Sequence, residues 1–345
     1  MTPTGQRCGW IPALVALASL ATQPAKAQSV ADFYKGKTVS IVVSTSSGGG
    51  YDTMARAISR YIGKHLPGNP TVVVRNMPGA GGIPAMNYLY FSAEKDGTTI
   101  GLVQNNTPME PLFGTKEARY EAPKFNWLGT PSFEVSMVLL WHTVPVNSVA
   151  ELKTRETNMG ASGANSTPAF YARLLNATLG TKMRLINGYP GQNDAFLAME
   201  RGEIDGYPSV FYSALTSTRP NWLRDRLAKA IVQFGPERLK ELPDVPFAPD
   251  LLTSEDDKLL MQAAFAPQAL GRPLVMPPGV LPERVAAVRK ALADTFTDHD
   301  FIAEADKIGL IVNAPRTGEQ LQDVILRAYA TPSRVVERLQ KLNNP

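Results

Sequence analysis

The chain has 345 residues, 44% of them hydrophobic, with 35 Lys and Arg against 31 Asp and Glu, three His and one Cys. This near-balance of charge, with no basic stripe interleaved with aromatics, excludes nucleic acid as the expected partner, and a single cysteine excludes an internal disulfide or a cysteine-based zinc site. The length suffices for two lobes, since single cores stop growing near ~250–300 residues.

The N-terminus reads as a secretory leader. Arg7 precedes an apolar run from Ile11 to Ala21, and Ala25-Lys26-Ala27 fits a small-x-small cleavage site. The run is too short to cross a bilayer, which takes about 20 apolar residues. Residues 1–27 are therefore expected to be a signal peptide and the mature protein to be periplasmic. Cys8 lies before the apolar run, whereas a lipid-anchor cysteine would follow it. Loss of Arg7 and Lys26 leaves 33 basic residues against 31 acidic ones, a net charge of +2.

A β-branched run, Val39–Val43, predicts a buried strand. It breaks into Ser44-Thr45-Ser46-Ser47-Gly48-Gly49-Gly50, and a helix is expected over Tyr51–His65. Thr71–Arg75 reads as a strand, Ala85–Ser92 as a helix and Thr98–Val103 as a strand ending at Gln104-Asn105-Asn106. A second block begins near Trp127. It contains strands at Val135–Trp141 and Met159–Ser162, a helix at Ala169–Leu179, a strand at Met183–Ile186 and a helix at Asn193–Arg201. A short strand over Glu203–Gly206 is expected to end at Tyr207-Pro208-Ser209. Ala230–Phe234 is a further strand, followed by a connection rich in proline (Pro236, Pro243, Pro246, Pro249). Helices are expected over Glu255–Ala264, Leu281–Phe296, Phe301–Ile308 and Gly318–Tyr329. Alternating strands and helices imply mostly parallel sheets flanked by helices, with ligands at the carboxyl ends of the strands.

Two loops fit an anion. Ser46, Ser47, Gly48, Gly49, Gly50, Tyr51 and Asp52 open one helix; Ser162, Gly163, Asn165, Ser166 and Thr167 open another. Small neutral residues at a helix N-terminus leave backbone N–H groups free, and the helix dipole favours negative charge. Asp52 is expected to cap or orient its loop, because a carboxylate repels an anion. Asn105 ends a strand on the same side. Tyr51, Tyr207 and Ser209 stand where strand or loop ends should meet a cleft. Each loop is also compatible with an ordinary capping turn. Gly36-Lys37-Thr38 precedes its strand, so it is no phosphate loop, and Pro84 breaks a dinucleotide pattern starting at Gly79. His65, His142 and His299 show no metal-ligand spacing. No cofactor or metal is expected.

Taken together, these motifs resemble the extracytoplasmic solute-binding proteins of tripartite tricarboxylate transporters, the Bug or TctC-like family. The likeness is carried by Phe33-Tyr34-Lys35-Gly36-Lys37, by Gly48-Gly49-Gly50-Tyr51-Asp52 (similar to G-G-G-x-D) and by Asn76-Met77-Pro78-Gly79-Ala80-Gly81-Gly82 (similar to N-x-P-G-A-G-G). Further landmarks are Gly160-Ala161-Ser162-Gly163 with Thr167, Gly188-Tyr189-Pro190-Gly191 and Leu242-Pro243-Asp244-Val245-Pro246. The resemblance implies an α/β clamshell of the Venus-flytrap type, with residues 28–130 and 235–345 in one lobe and 131–234 in the other, joined by crossing strands. It further implies capture of a small organic carboxylate (a di- or tricarboxylate, or an aromatic carboxylate) between the lobes, transient docking to a two-subunit membrane permease, and no catalysis; a monomer is the default for such a clamshell. Tyr51 replaces a usual small polar residue, which is compatible with a bulkier or aromatic carboxylate and equally with packing alone. Tyr171 lies near the place of the family's usual histidine. Two other readings stand beside this one: a periplasmic hydrolase or transferase on a similar scaffold, and a ligand-dependent partner of a sensor protein.

Overall fold

The computed structural model describes residues 1–2, 5, 29–164 and 166–343; the expected signal peptide lies almost wholly outside the described residues. In chain order the elements are α1 (Val30–Tyr34), β1 (Thr38–Val43), α2 (Gly50–His65), β2 (Thr71–Asn76), α3 (Ile83–Phe91), β3 (Thr99–Leu102), β4 (Asn126–Thr130) and β5 (Ser136–Trp141). Next come α4 (Val149–Thr154), β6 (Thr157–Ala161), α5 (Thr167–Leu179), β7 (Met183–Asn187), α6 (Gln192–Glu200), β8 (Gly206–Phe211), α7 (Tyr212–Thr218), α8 (Asn221–Arg224) and β9 (Ala228–Phe234). The chain closes with α9 (Glu255–Leu270), β10 (Leu274–Met276), α10 (Pro282–Phe296), α11 (His299–Lys307), β11 (Arg316–Thr317), α12 (Gly318–Tyr329) and α13 (Ser333–Asn343). Among the described residues no helix is long and apolar enough to cross a membrane.

The strands form two sheets, in the orders β11-β4-β10-β3-β1-β2 and β7-β6-β8-β5-β9. Pairing is parallel in β2-β1-β3 and in β7-β6-β8, where strand–helix–strand crossovers build the sheet. It is antiparallel where β10, β4, β11, β5 and β9 join. Each sheet is thus mixed, with a parallel part that matches the alternating pattern of the sequence. β10 inserts between β3 and β4, so two strands neighbouring in the chain are separated in space.

The first sheet buries Val39, Ile41 and Val43 against the inner stripe of α2 (Met54, Ala55, Ile58, Ile62) and against α10. The core on the second sheet gathers β5, β6, β9 and α5, but also Leu260, Met261 and Phe265 of α9 and Val335 and Leu339 of α13. The C-terminal helix therefore returns to the second sheet, although α12 packs on the first through Leu321 and Ile325. The last expected helix, Gly318–Tyr329, is α12 with those bounds; α13, whose buried Val335 and Leu339 sit at helical spacing, is a further helix absent from the sequence expectations.

The chain passes between the sheets at residues 131–135 and again at 235–273. These crossings touch. The Glu134 N–H donates to the Gln268 carbonyl at 3.0 Å. The Thr130 hydroxyl donates to the Ser132 carbonyl at 2.9 Å and accepts from the Arg272 N–H at 3.0 Å. Gly271, at φ +62, lies so close to Ser132 that a Cβ there would stand 1.9 Å from the Ser132 carbonyl oxygen.

Candidate functional site

The sheets and the crossings enclose a cleft of about 1060 Å³. Its wall takes Tyr51 from the first turn of α2 and Gln104 and Asn105 from the end of β3. Thr167 and Pro168 come from the start of α5, Gln192 from the start of α6, Tyr207 and Ser209 from β8, and Glu134, Gln268 and Arg272 from the crossings. The first-sheet contributors stand at carboxyl ends of parallel strands, where open α/β sheets bind ligands.

The loop before α2 is built around Asp52. Its buried carboxylate accepts from the Gly48 N–H, from Arg56 Nε and from Asn76 Nδ2, each at 2.9 Å. The Arg56 bond, then those of Gly48 and Asn76, pull the carboxyl down to about 2 against the opposing cost of burial. Asp52 is thus spent on its own loop. Gly49 caps α2 without a side-chain bond, leaving first-turn N–H groups of the helix open. Ser46, Ser47, Gly48, Gly49 and Gly50 are exposed and stand outside the cleft wall. Tyr51 turns inward: its hydroxyl accepts from the Asn105 N–H at 3.1 Å and points its proton at the Gly271 carbonyl, 3.4 Å away. Burial raises the phenol's pKa and keeps it neutral.

The loop before α5 follows the same logic. Ser166 is the N-cap, but its hydroxyl donates to the Gly163 carbonyl at 2.7 Å, so it leaves the helix donors free. Pro168 occupies the first turn, where a missing N–H costs nothing. Thr167 lines the cleft; Ser162, Gly163 and Ser166 do not. Asn165 lies outside the described residues. A third helix start, Gly191 before α6, is also without a side-chain cap bond and brings Gln192 to the wall.

Tyr207 and Ser209 do not follow a strand that ends at Gly206, as the sequence suggests; they lie inside β8, which begins there. Proline reads as a strand breaker because it cannot donate to the ladder. Here the ladder skips it: Tyr207 pairs with Leu139 and Val210 with Met137, with a register shift between. That irregularity holds Tyr207 edge-on to Phe196 (centroids 6.0 Å apart), while the Ser209 hydroxyl donates to Ser136 Oγ at 3.2 Å. Gln268 Nε2 donates to the same oxygen at 2.9 Å. Tyr171, near the place of the family's usual histidine, is buried and donates to the Ala264 carbonyl at 3.2 Å.

The four charged residues of the wall among the described residues, Glu110, Glu134, Arg272 and Asp306, escape sequence reasoning. Arg272 lies over the Tyr51 ring, 5.9 Å from guanidinium carbon to centroid, and a Cβ on Gly50 would stand 3.5 Å from its Nη2. The guanidinium is therefore beside the uncapped start of α2. Glu134 accepts from the Ser213 hydroxyl at 2.7 Å, and burial pushes its carboxyl up. Gly271-Arg272-Pro273, a cation fixed between a helix-ending glycine and a proline, is the one local signal that marks Arg272. Glu134 carries none.

A family model described as TctC, tripartite tricarboxylate transporter family receptor, matches residues 54–303. A UPF0065 protein of Agrobacterium vitis, from the intergenic region between ttuE and ttuC', is 27% identical over 251 residues, spanning 70% of this chain and 69% of that protein. A TctC solute-binding protein from Polaromonas, solved without ligand, superposes with a TM-score of 0.69 at 20% identity over 90% of this chain and 99% of that one. MatC of Rhodopseudomonas palustris with bound malate superposes with a TM-score of 0.54 at 21% identity over 89% and 99%. At these identities the solved structures speak for the fold, which is the two-lobed α/β architecture of periplasmic binding proteins.

Proposed function

The chain belongs to the tripartite tricarboxylate transporter receptor family, and from that premise we propose that it captures a small organic carboxylate in the cleft and delivers it to a two-subunit membrane permease. The observation that carries this reading is the pairing of the Arg272 guanidinium with the uncapped N-terminus of α2 on the cleft wall. A guanidinium and free backbone N–H groups form charge-assisted hydrogen bonds with a carboxylate, each contributing roughly 1.5–3 kcal/mol. The second loop, with Thr167 at the start of α5, faces the same cleft from the other sheet. Binding of malate by MatC supports the ligand class.

We divide the chain as the motifs suggest, with residues 28–130 and 235–345 in one lobe and 131–234 in the other; α9 and α13 brace the second lobe's core from the first lobe's stretch of chain. Closure is a hinge motion about the crossings at 131–135 and 235–273. It carries the exposed loop Ser46–Gly50 and the exposed Ser162 toward a ligand held first by Tyr51, Asn105, Thr167, Tyr207, Ser209 and Arg272. Residues 1–27 act as a cleaved leader and the mature receptor works in the periplasm as a monomer.

A thermal-shift screen of residues 28–345, unfolded and refolded to strip bound solute, tests the reading against mono-, di- and aromatic carboxylates. A native-state ligand adds about 2.7 kcal/mol at a hundredfold excess over its Kd. A concentration-dependent rise, with the ligand recovered unaltered, is the expected result. No rise with any carboxylate overturns the proposal.

A further inference from the structure

A wall that held a dianion through side-chain charge would carry more cations than acids, since each wall carboxylate repels a ligand carboxylate. The wall of this cleft has the opposite balance. Among the described residues Arg272 is its one basic side chain, against the carboxylates of Glu110, Glu134 and Asp306. Asp306 is exposed, where water screens it. Glu110 is half-buried and accepts from the Thr115 hydroxyl at 2.7 Å.

Glu134 is placed differently. It stands in the crossing itself, fixed through its N–H to the Gln268 carbonyl at 3.0 Å and through its carboxylate to the Ser213 hydroxyl at 2.7 Å. Burial pushes its carboxyl up, opposed by the Ser213 bond and by Arg272, which is near enough to favour the charged form, yet among the described residues no ion pair joins the two. A half-buried carboxyl and a guanidinium thus line one cavity without pairing with each other. A second carboxylate on a ligand would meet Glu134 and be repelled; an ammonium group would find there a partially desolvated counter-charge.

We infer that the cleft selects amino carboxylates over dicarboxylates: the ligand carboxylate faces Arg272 and the start of α2, and its ammonium group faces Glu134 with the Ser213 hydroxyl as support. This rests on the carboxylate reading above and narrows it. Glu134 becomes the residue that sets specificity, acting by attraction of one ligand class and repulsion of the other.

Isothermal titration with matched ligand pairs of equal reach tests this: adipate against 6-aminohexanoate, and terephthalate against 4-(aminomethyl)benzoate. The stripped wild-type protein is compared with Glu134→Gln, Glu134→Asp and Arg272→Gln, each checked for an unchanged unfolding midpoint. The wild type is expected to bind the amino member of at least one pair about tenfold or more tightly than its dicarboxylate partner. Glu134→Gln should remove that preference, Glu134→Asp should retain it in part, and Arg272→Gln should weaken both members. Tighter binding of the dicarboxylates by the wild type overturns the inference and leaves the carboxylate reading standing. So does a preference that Glu134→Gln leaves unchanged. If no member of either pair binds, and malate does not bind either, the carboxylate reading falls and this inference falls with it. The wild-type comparison stands even if a variant fails to fold.

Discussion

The Tyr51 hydroxyl accepts a hydrogen bond from the backbone N–H of Asn105 at 3.1 Å, tying the first turn of α2 to the loop that follows β3. The same oxygen points its proton toward Gly271 in the second crossing. One side chain therefore holds together three segments that are distant in sequence and meet at the cleft. Tyr51→Phe keeps the ring beneath Arg272 but leaves the Asn105 N–H without its partner. The expected cost is about 1–2 kcal/mol in urea unfolding, with a several-fold loss of carboxylate affinity by titration. Unchanged stability and affinity would show that the ring alone matters.

The two ends of α2 are anchored by acids whose pKa values are lowered. Arg56, Gly48 and Asn76 hold Asp52 at about 2, and Lys64, followed by His65, holds Asp298 below the usual carboxylate range. A carboxyl whose folded pKa is depressed contributes stability that is present above its unfolded value, roughly 4, and is lost as the pH falls toward the folded value. Stability is thus expected to drop between pH 4 and 2. Asp52→Asn should lower stability at pH 7 and flatten that drop, measured as the urea midpoint against pH. An equally steep profile in the variant would remove Asp52 from the acid response.

Gly271 and Gly79 separate backbone conformation from crowding. Both have positive φ, +62 and +121, but a Cβ at Gly271 meets the Ser132 carbonyl at 1.9 Å whereas none lies within 4 Å at Gly79. Gly79→Ala should cost on the order of 1–2 kcal/mol, the strain of an L-residue at positive φ. Gly271→Ala must push the crossings apart and should cost more than about 3 kcal/mol, while displacing Arg272 and abolishing binding. Equal losses of stability would show that the crossings can give.

Gly49→Val tests the first loop apart from the fold. Gly49 has an ordinary φ of −85°, and its Cβ would meet only the Ser46 carbonyl at 4.0 Å. Stability should fall by only about 1 kcal/mol, the cost of a β-branched residue at an N-cap. Affinity should fall about tenfold or more, because the branched side chain blocks approach to the helix donors. Wild-type affinity in the variant would take the loop out of the site.

The elements legible in the sequence were those with local signals. A β-branched run stopping at glycines marked β1 and the start of α2, and Pro168 after two small polar residues marked the start of α5. β8 was misplaced because Pro208 ordinarily ends a strand, and only the partner strand shows that the ladder can skip it. Tyr51 was findable as an aromatic at a loop end; Tyr207 was singled out on the same ground, although it lies inside β8. The charges of the cleft were not. Glu134 and Arg272 reach one cleft through two passages of chain between sheets, and neither the contact of those passages nor its depth leaves a periodic trace. Short strands such as β10, three residues long, likewise owe their existence to the neighbours they pair with and not to propensity.

The place of β10 between β3 and β4 sets a schedule for the growing chain. The first sheet lacks its middle until residues 274–276 exist, by which point about four-fifths of the protein has been synthesised. Pairings across such long stretches are slow because loop closure must come before the contacts that reward it. The first sheet therefore cannot close before that segment is present, whereas all five strands of the second sheet precede residue 235.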